Sequence, residues 1–297
     1  MDGRALKPWG GVIEAQASRT ALRVALRRAA HQVHDARPLV FDDLLAVRIL
    51  GPEYAEELAR TPDKDQRPFS AALRAFVVAR ARLAEDALAA AHRDDRVRQY
   101  LLLGAGLDTF AYRNPYADVR VFEVDHPATQ AWKRERLAAA ALGVPESVRF
   151  VAVDFERMSI RDELDAAGFD FAVPTMTAWL GVVPYLTREA FRATGMLLGS
   201  FGGRSGVVFD YALPRAALPP REKLMRDSLA DRVRLAGEPF RLFFMPEELR
   251  GELAAAGLRV VEDLDGPAMT ARLFAGRNDG LKLRGKGGHV CRAVTAG

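Results

Sequence analysis

Two glycines and an aspartate occur at a spacing that suits a nucleotide-like ligand. Gly104 and Gly106 end an apolar segment within residues 100–109 (YLLLGAGLDT), and Asp125 ends the next apolar segment, 19 residues after Gly106. Small residues let the backbone approach a ligand closely, and a helix expected behind the turn would favour polar or anionic groups. An acid at the tip of the second strand can accept hydrogen bonds from the two hydroxyls of a ribose. The spacing therefore predicts an adenosine-containing ligand.

A third strand tip narrows the choice of ligand. Asp154 and Phe155 follow the apolar segment 148–153, so a carboxylate could accept from an adenine amino group and a ring could stack on the base. A dinucleotide site would have a third glycine where Thr109 stands, for close packing of helix on strand. Three successive tips therefore favour S-adenosylmethionine (SAM) over a nicotinamide cofactor. Taken singly, Asp125 or Asp154 could instead cap a helix.

These motifs resemble those of the leucine carboxyl methyltransferase family, and most closely its bacterial SAM-dependent O-methyltransferases, including enzymes of polyketide pathways. The resemblance includes segment 179–187 (WLGVVPYLT) and extends from about Thr20 to Tyr211. It implies an α/β fold of the Rossmann-like class I methyltransferase type, with a seven-stranded, mostly parallel sheet, an N-terminal helical lid and a helical insertion. The implied cofactor-binding residues are Gly104, Ala105, Gly106, Leu107, Asp125, His126, Asp154 and Phe155.

Arg80 and two departures from the family pattern also bear on the cofactor. Arg80 matches the arginine that in the family binds the methionine carboxylate of SAM, through two parallel hydrogen bonds. A surface position on an amphipathic helix is the alternative, and Arg82 is a competing candidate. Phe110 replaces a frequent arginine, and Leu180 replaces a glutamate that contacts the cofactor in several members. A SAM-binding protein without catalysis is the alternative that these departures raise.

The chemistry of methyl transfer indicates the type of acceptor. The reaction is an in-line displacement, so the enzyme mainly aligns the nucleophile, the methyl carbon and the sulfur. A carboxylate, with a pKa near ~4, is ionised at neutral pH, whereas a phenol, with a pKa of about 10, usually needs a base. The glycine motif has no evident base beside it. This favours a small-molecule carboxylate of secondary metabolism, with a phenol as the alternative.

Two aromatic residues flank the fourth strand tip, where an acceptor is expected. Tyr185 resembles a family position near the substrate, and Trp179 precedes the same tip. For Trp179, a place in the core at the end of the sheet is the alternative interpretation. Both are predicted, as candidates only, to contact the acceptor; no residue is singled out as catalytic.

The pattern of apolar residues predicts how the chain is divided. Residues 18–50 and 71–92 have helical periodicity, and residues 1–97 are expected to form the lid. Residues 98–297 are expected to form the SAM-binding core, with a cap insertion at about 212–248. Alternating strands and helices indicate a mostly parallel sheet. The expected strands are 99–104, 119–124, 148–153, 173–180, 205–211, 258–263 and 289–293.

Composition excludes several other classes of protein. The 297 residues carry 43 basic and 39 acidic side chains without a basic cluster, so no nucleic-acid partner is expected. No apolar run approaches the ~20 residues of a membrane span. The single cysteine, Cys291, is expected to be buried, and a cytoplasmic location is expected. The histidines lack the spacing of a metal site, so no metal is predicted. The sequence carries no signal for the oligomeric state.

Overall fold

A computed structural model describes residues 19–61, 67–154, 158–235 and 239–296, and a seven-stranded sheet forms the centre of this part of the chain. The strands are β1 (Gln99–Leu103), β2 (Arg120–Asp125), β3 (Val148–Ala152), β4 (Thr175–Trp179), β5 (Gly206–Ala212), β6 (Leu258–Leu264) and β7 (Gly288–Thr295). Their order is β3-β2-β1-β4-β5-β7-β6; β1 to β5 are parallel and β7 is antiparallel to both of its neighbours. This confirms the predicted fold class.

Helices surround the sheet and precede it in the chain. They are α1 (Arg19–His34), α2 (Ala46–Leu50), α3 (Pro52–Arg60), α4 (Pro68–Asp94), α5 (Pro127–Ala139), α6 (Ile160–Ala166), α7 (Arg188–Gly199), α8 (Pro220–Leu235), α9 (Pro246–Ala255) and α10 (Gly266–Leu273). Several begin with proline, whose fixed φ and missing N–H suit the first turn of a helix. Gly51 ends α2, and Pro52 begins α3 directly after it.

Successive side chains of a strand point to opposite faces, and this divides the core in two. In β1, Tyr100 and Leu102 join a cluster with α4 and α10, whereas Leu101 and Leu103 join a cluster with α6, α7 and α9. A third cluster holds α1 to α3 against α5 and includes Leu107 of the glycine motif. Because α4 packs on β4 and β5, part of the predicted lid belongs to the main core.

The helix expected directly behind the glycine turn is absent, and this prediction was wrong. Residues Phe110–Tyr112 instead form a single 3₁₀ turn, and the next helix is α5, after β2. Two causes are visible. Asp108 and Thr109 bind side chains of α1 and the segment behind it, and Pro115 disfavours a helical conformation for Asn114. The glycine turn therefore has no helix dipole behind it.

The region of the predicted insertion contains α8 and the start of α9. The division at residues 97 and 98 remains a prediction. Among the described residues, no helix is both long and apolar enough to cross a membrane.

Candidate cofactor and acceptor sites

The glycine turn is pinned to the tip of β2. Gly104 and Gly106 have φ of +71° and +50°, a left-handed conformation that other residues rarely adopt. The N–H groups of Gly104 and Ala105 donate to the carbonyl of Val124, at 2.8 and 3.1 Å. A Cβ added to Gly104 would lie 2.4 Å from Cγ2 of Val182. Only glycine therefore fits this close approach between two strand tips.

Asp125 holds the same turn through its carboxylate. Its Oδ2 accepts from the N–H of Gly106 at 2.6 Å, and its Oδ1 accepts from the N–H of His126 at 2.7 Å. Burial raises the pKa of Asp125, although the two N–H donors oppose this shift. Each carboxylate oxygen keeps a further lone pair, so two ribose hydroxyls could still be accepted. The residue that caps α5 is His126, whose Nδ1 accepts from the N–H of Ala128 at 3.2 Å.

The two apolar residues of the glycine motif point into the core. Ala105 and Leu107 are 7% and 4% exposed, so only their backbone is available to a cofactor. Helix α1 covers this turn, because Cβ of Ala21 lies 3.2 Å from where a Cβ of Gly106 would stand. The turn therefore lies directly against α1, and the role of the N-terminal helices as a lid remains a prediction.

The third predicted tip lies beside the second. The N–H of Val153 donates to the carbonyl of Asp125 at 2.9 Å, so the half-buried Asp154 follows directly beyond the end of the sheet. Phe155, predicted to stack on adenine, lies outside the described residues. The structure thus brings Gly104, Gly106, Asp125 and Asp154 to one edge of the sheet, and their roles remain predictions.

Arg80 is buried near the tip of β4 and is paired with a residue that the sequence analysis did not single out. Its Nη1 donates to Oδ2 of Asp210 at 2.9 Å, and the other oxygen of Asp210 accepts from the N–H of Gly181 at 2.6 Å. Arg80 and Asp210 are 7% and 4% exposed. Arg82, the competing candidate, forms an exposed pair with Asp86 instead.

A cavity of about 1380 Å³ opens beside this pair. Arg80, Asp210, Gly181 and Tyr185 contribute to its wall, and the rest comes mainly from α1, α4, α8 and segment 279–288. The glycine turn and Asp125 do not line it. The lining of the cavity therefore includes Arg80, which is expected to bind the methionine end of the cofactor, but not the residues that are expected to bind the adenosine end.

Of the two aromatic acceptor candidates, only Tyr185 lines the cavity. Trp179 is 3% exposed and stacks on Phe191, with 5.5 Å between ring centroids and 9° between ring planes. It belongs to the cluster under α7 and α9, which is the core position that the sequence analysis left open. The expectation that Trp179 faces the acceptor is corrected accordingly.

A buried group of charged residues anchors the segment that follows the glycines. Arg28 of α1 donates to Asp108 and to Asp43, both at 2.6 Å, and Thr109 donates to Asp43 at 2.7 Å. Arg113 extends the group, since its Nε donates to Thr109 at 3.2 Å and its Nη1 donates to Glu85 of α4 at 2.8 Å. We call these residues the anchor network: Arg28, Asp43, Glu85, Asp108, Thr109 and Arg113.

The anchor network changes the electrostatics of the turn. Burial alone would raise the pKa of Asp108, but the charges of Arg28, Arg113 and Lys133 outweigh it and lower that pKa to about 2. Phe110, which replaces the arginine frequent in the family, is 2% exposed, and the Cζ of Arg113 lies 5.8 Å from its ring centroid. Arg113, three residues after Phe110, is therefore the arginine that packs against this segment.

Sequence reasoning missed both the anchor network and Asp210. Asp210 follows the apolar run 206–209, and this is the same kind of signal that indicated Asp125 and Asp154. The carboxylate of Asp210 accepts from the N–H of Gly181, the residue after Leu180. Leu180 is the position at which several family members have a glutamate. Arg28 gave a weaker signal, since a single arginine within an amphipathic helix usually faces solvent.

Two bacterial proteins are similar in sequence to this chain. The Bacillus subtilis (strain 168) protein YktD, named as an S-adenosyl-L-methionine-dependent methyltransferase, is 31% identical over 297 residues, covering 90% of this chain and 94% of YktD. A protein of Parafrankia sp. (strain EAN1pec) with the same kind of name is 37% identical over 180 residues, which is 59% of this chain and 56% of that protein.

Solved structures support the fold. A DUF574 family protein from Streptomyces avermitilis superposes with a TM-score of 0.56 at 18% identity, covering 95% of this chain and 99% of that one. A Thermobifida fusca protein superposes with the same TM-score at 15% identity, covering 91% and 98%.

The family itself is shown by a direct match. The family model described as leucine carboxyl methyltransferase matches residues 21–196, more than half of the chain, and includes the glycine turn, Asp125 and Arg80. SAM, predicted as the cofactor from the strand tips, is thereby confirmed at the level of the family. The chain belongs to the leucine carboxyl methyltransferase family of SAM-dependent methyltransferases.

Proposed function

We propose that the protein is an O-methyltransferase that transfers the methyl group of SAM to a carboxylate of a small molecule, of the kind made in secondary metabolism. The observation that supports this is the charge of the cavity beside Arg80. Among the described residues on its wall, basic residues outnumber acidic ones by eight to four. The basic residues are Arg23, Arg27, Arg74, Arg80, Arg221, Arg226, Lys282 and Arg284.

The acidic residues of the wall are already bound. Asp35 accepts from Arg74 at 2.7 Å, and Asp210 accepts from Arg80. Glu222 accepts from the backbone N–H groups of residues 286 and 287, and Asp279 accepts from Arg277 through its Oδ1 at 3.0 Å. The remaining positive charge favours an anionic acceptor, because a carboxylate entering the cavity gains attraction without displacing an acid.

Arg226 of α8 is the residue that we assign to the acceptor carboxylate. Its Nη2 donates to the carbonyl of Leu213 at 2.6 Å, and its Cζ lies 4.6 Å from the ring centroid of Phe243. Burial lowers the pKa of Arg226. Among the described residues, no acid lies within ion-pair distance of its guanidinium. A partly desolvated guanidinium with no such partner gains most from a charged ligand.

Different residues of the chain would bind different parts of the cofactor. When bound, SAM supplies the electrophilic methyl group. Asp125 would hold the ribose, Asp154 the adenine amino group and Arg80 the methionine carboxylate. Helix α1 would exclude water from the glycine turn. An acceptor carboxylate is already ionised at neutral pH, so the site needs alignment and no general base.

Phenolic O-methylation is the second candidate, and His34 is the observation that favours it. His34 is the one imidazole among the described residues that line the cavity. A neutral imidazole can accept a proton from a phenol. On this alternative, His34→Ala lowers turnover strongly, whereas a carboxylate acceptor needs no base and turnover falls little.

The test is the chemical nature of the product. The protein is incubated with methyl-labelled SAM and a panel of hydroxybenzoic acids, each of which offers both a carboxylate and a phenol. Methyl esters release labelled methanol in mild alkali, whereas aryl methyl ethers do not. We expect alkali-labile label together with release of S-adenosylhomocysteine. Alkali-stable label supports the phenolic alternative, and an absence of S-adenosylhomocysteine release with any acceptor supports SAM binding without catalysis.

A further inference from the structure

One stretch of the cavity wall, segment 281–284 (LKLR), carries two basic side chains that the proposed function does not use. Lys282 and Arg284 line the cavity and are exposed, so they lie where the cavity meets solvent. Leu281 and Leu283, which alternate with them, are 5% and 8% exposed and belong to the core cluster of α4 and α10. The two leucines therefore anchor the segment and leave the two cations on the wall.

Hydrogen bonds fix the backbone of this segment. Oγ1 of Thr270 in α10 accepts from the N–H of Leu283 and donates to the carbonyl of the same residue, each at 2.8 Å. A few residues further on, Oε2 of Glu222 in α8 accepts from the N–H groups of residues 286 and 287, both at 3.0 Å. Because the backbone is held on two sides, less entropy is lost when a ligand binds to the side chains that it carries.

The cations of this part of the wall have no acidic partner. Arg221 lines the cavity too, and it precedes Glu222, which is bound to the same segment. Among the residues that the structure describes, no acid lies within ion-pair distance of Lys282, Arg284 or Arg221. The carboxylate of Glu222 accepts from backbone N–H groups rather than from a cation. Charges of one sign along a cleft raise the local concentration of the opposite ion, so this part of the wall attracts anions.

These cations are separate from the arginine assigned to the acceptor carboxylate. Arg226 is half-buried, whereas Lys282, Arg284 and Arg221 are exposed, so the inner and outer parts of the wall each carry positive charge. A monocarboxylate bound by Arg226 would leave the outer charge unmatched. The cavity, at about 1380 Å³, exceeds the roughly 300–1,000 Å³ of most small-ligand pockets, so it has room for an acceptor that reaches both parts.

We propose that Lys282 and Arg284, together with Arg221, form a subsite for a second anionic group of the methyl acceptor, a carboxylate or a phosphate ester remote from the methylated carboxylate. The inference rests on the proposed function, because it takes Arg226 to bind the reacting carboxylate. A guanidinium binds either anion through parallel hydrogen bonds, and an ammonium adds a point charge. The preferred acceptor is therefore a molecule with an anionic group at each end.

Four ligands on one scaffold separate the two anion sites, in calorimetric titrations in the presence of S-adenosylhomocysteine. A biphenyl monocarboxylic acid carries the first anion alone, and its primary amide carries none. The matching dicarboxylic acid adds a distal carboxylate, and a fourth ligand adds a distal phosphate ester to the monocarboxylic acid. The variants are Lys282→Gln and the double variant Lys282→Gln/Arg284→Gln. The matched control is Lys286→Gln, which removes an exposed cation of the same segment that does not line the cavity.

We expect the wild type to bind at least one of the two dianions about tenfold more tightly than the monocarboxylic acid, because each exposed charge pair contributes modestly. Lys282→Gln should reduce this preference by about threefold, the double variant should abolish it, and the control should leave it unchanged. High salt should also weaken the preference, since exposed charges are screened. Whichever dianion is preferred identifies the anion that the subsite takes. Equal binding of the monoanion and both dianions, or a preference that survives in the double variant, would overturn the subsite.

The amide separates this inference from the proposed function. If the amide binds as tightly as the monocarboxylic acid, the carboxylate acceptor of the proposed function is wrong. If the acid binds more tightly than the amide but a distal anion adds nothing, only the subsite is wrong. Absence of binding by all four ligands would count against both. The substituted side chains are exposed, so the melting temperatures of the variants should stay close to that of the wild type.

Discussion

The glycine turn and the cavity beside Arg80 lie at one edge of the sheet but are built in different ways. The turn is saturated with contacts, since Asp125 holds its backbone and the anchor network holds the residues that follow. The cavity is lined by segments from residue 20 to residue 288 and keeps an excess of positive charge. Under the proposed function, the turn would hold the cofactor and the cavity would admit the acceptor.

The comparison predicts different consequences for mutation in the two regions. Changes in the anchor network should appear first in the free energy of unfolding, because its charges are buried and mutually dependent. A change at Arg226 on the cavity wall should appear in acceptor binding and leave the fold intact, because among the described residues no acid pairs with it.

The largest effect is expected for Arg28→Ala. The change leaves Asp43, which is 0% exposed, and Asp108 without their main counter-charge. Breaking one side of a buried ion pair typically costs about 3–5 kcal/mol, so the free energy of unfolding in urea should fall by that amount. Arg60→Ala is the control, because Arg60 and Glu56 form an exposed pair and the loss there should stay below about 1 kcal/mol. If the free energy of unfolding falls by a similarly small amount in both variants, the anchor network does not stabilise the fold as described.

The free energy of unfolding contributed by Asp108, which follows the glycine turn, should decrease in acid over a defined range of pH. Asp108 has a folded-state pKa of about 2, below the ~4 of an unfolded aspartate, so its contribution is complete above pH ~4 and is lost as the pH falls from about 4 to 2. The two-unit difference corresponds to roughly 2–3 kcal/mol. Urea unfolding of the wild type and Asp108→Asn at pH 5 and pH 2.5 measures it. The wild type should lose more stability than the variant, and parallel losses would refute the assignment.

Arg226→Gln, on the cavity wall, should change acceptor binding and leave the free energy of unfolding nearly unchanged. If Arg226 holds the acceptor carboxylate, KM for a carboxylic acid acceptor should rise at least about tenfold, while SAM affinity stays within about twofold. Arg234→Gln is the matched control, since Arg234 lies on the same helix, is exposed and pairs with Asp231. An unchanged KM in Arg226→Gln would remove the charge argument for a carboxylate acceptor.

The two regions also differ in how well the sequence predicts them. The glycine turn, Asp125 and Asp154 are close in sequence to the strands that place them, so their spacing predicted their common edge correctly. The missing helix after the turn depends in part on Arg28 and Asp43, which are distant in sequence, whereas Pro115 was a local signal against it. The cavity wall could not be predicted from the sequence, because its residues come from segments that are distant in sequence. For Trp179 the sequence left open both the acceptor site and the core, and its packing against Phe191 and Phe209 places it in the core.

The affinity of Asp125→Ala for SAM tests the central claim most directly. If Asp125 holds the ribose, affinity for SAM, and also for adenosine, should fall by about one to two powers of ten, because charge-assisted hydrogen bonds are worth roughly 1.5–3 kcal/mol. Asp170→Ala is the control: its carboxylate accepts from the N–H of Ala172 at 2.9 Å, just ahead of β4 at the opposite end of the sheet. Melting temperatures of both variants show how much of any loss is structural. An Asp125→Ala variant that binds SAM as tightly as the wild type would contradict the account.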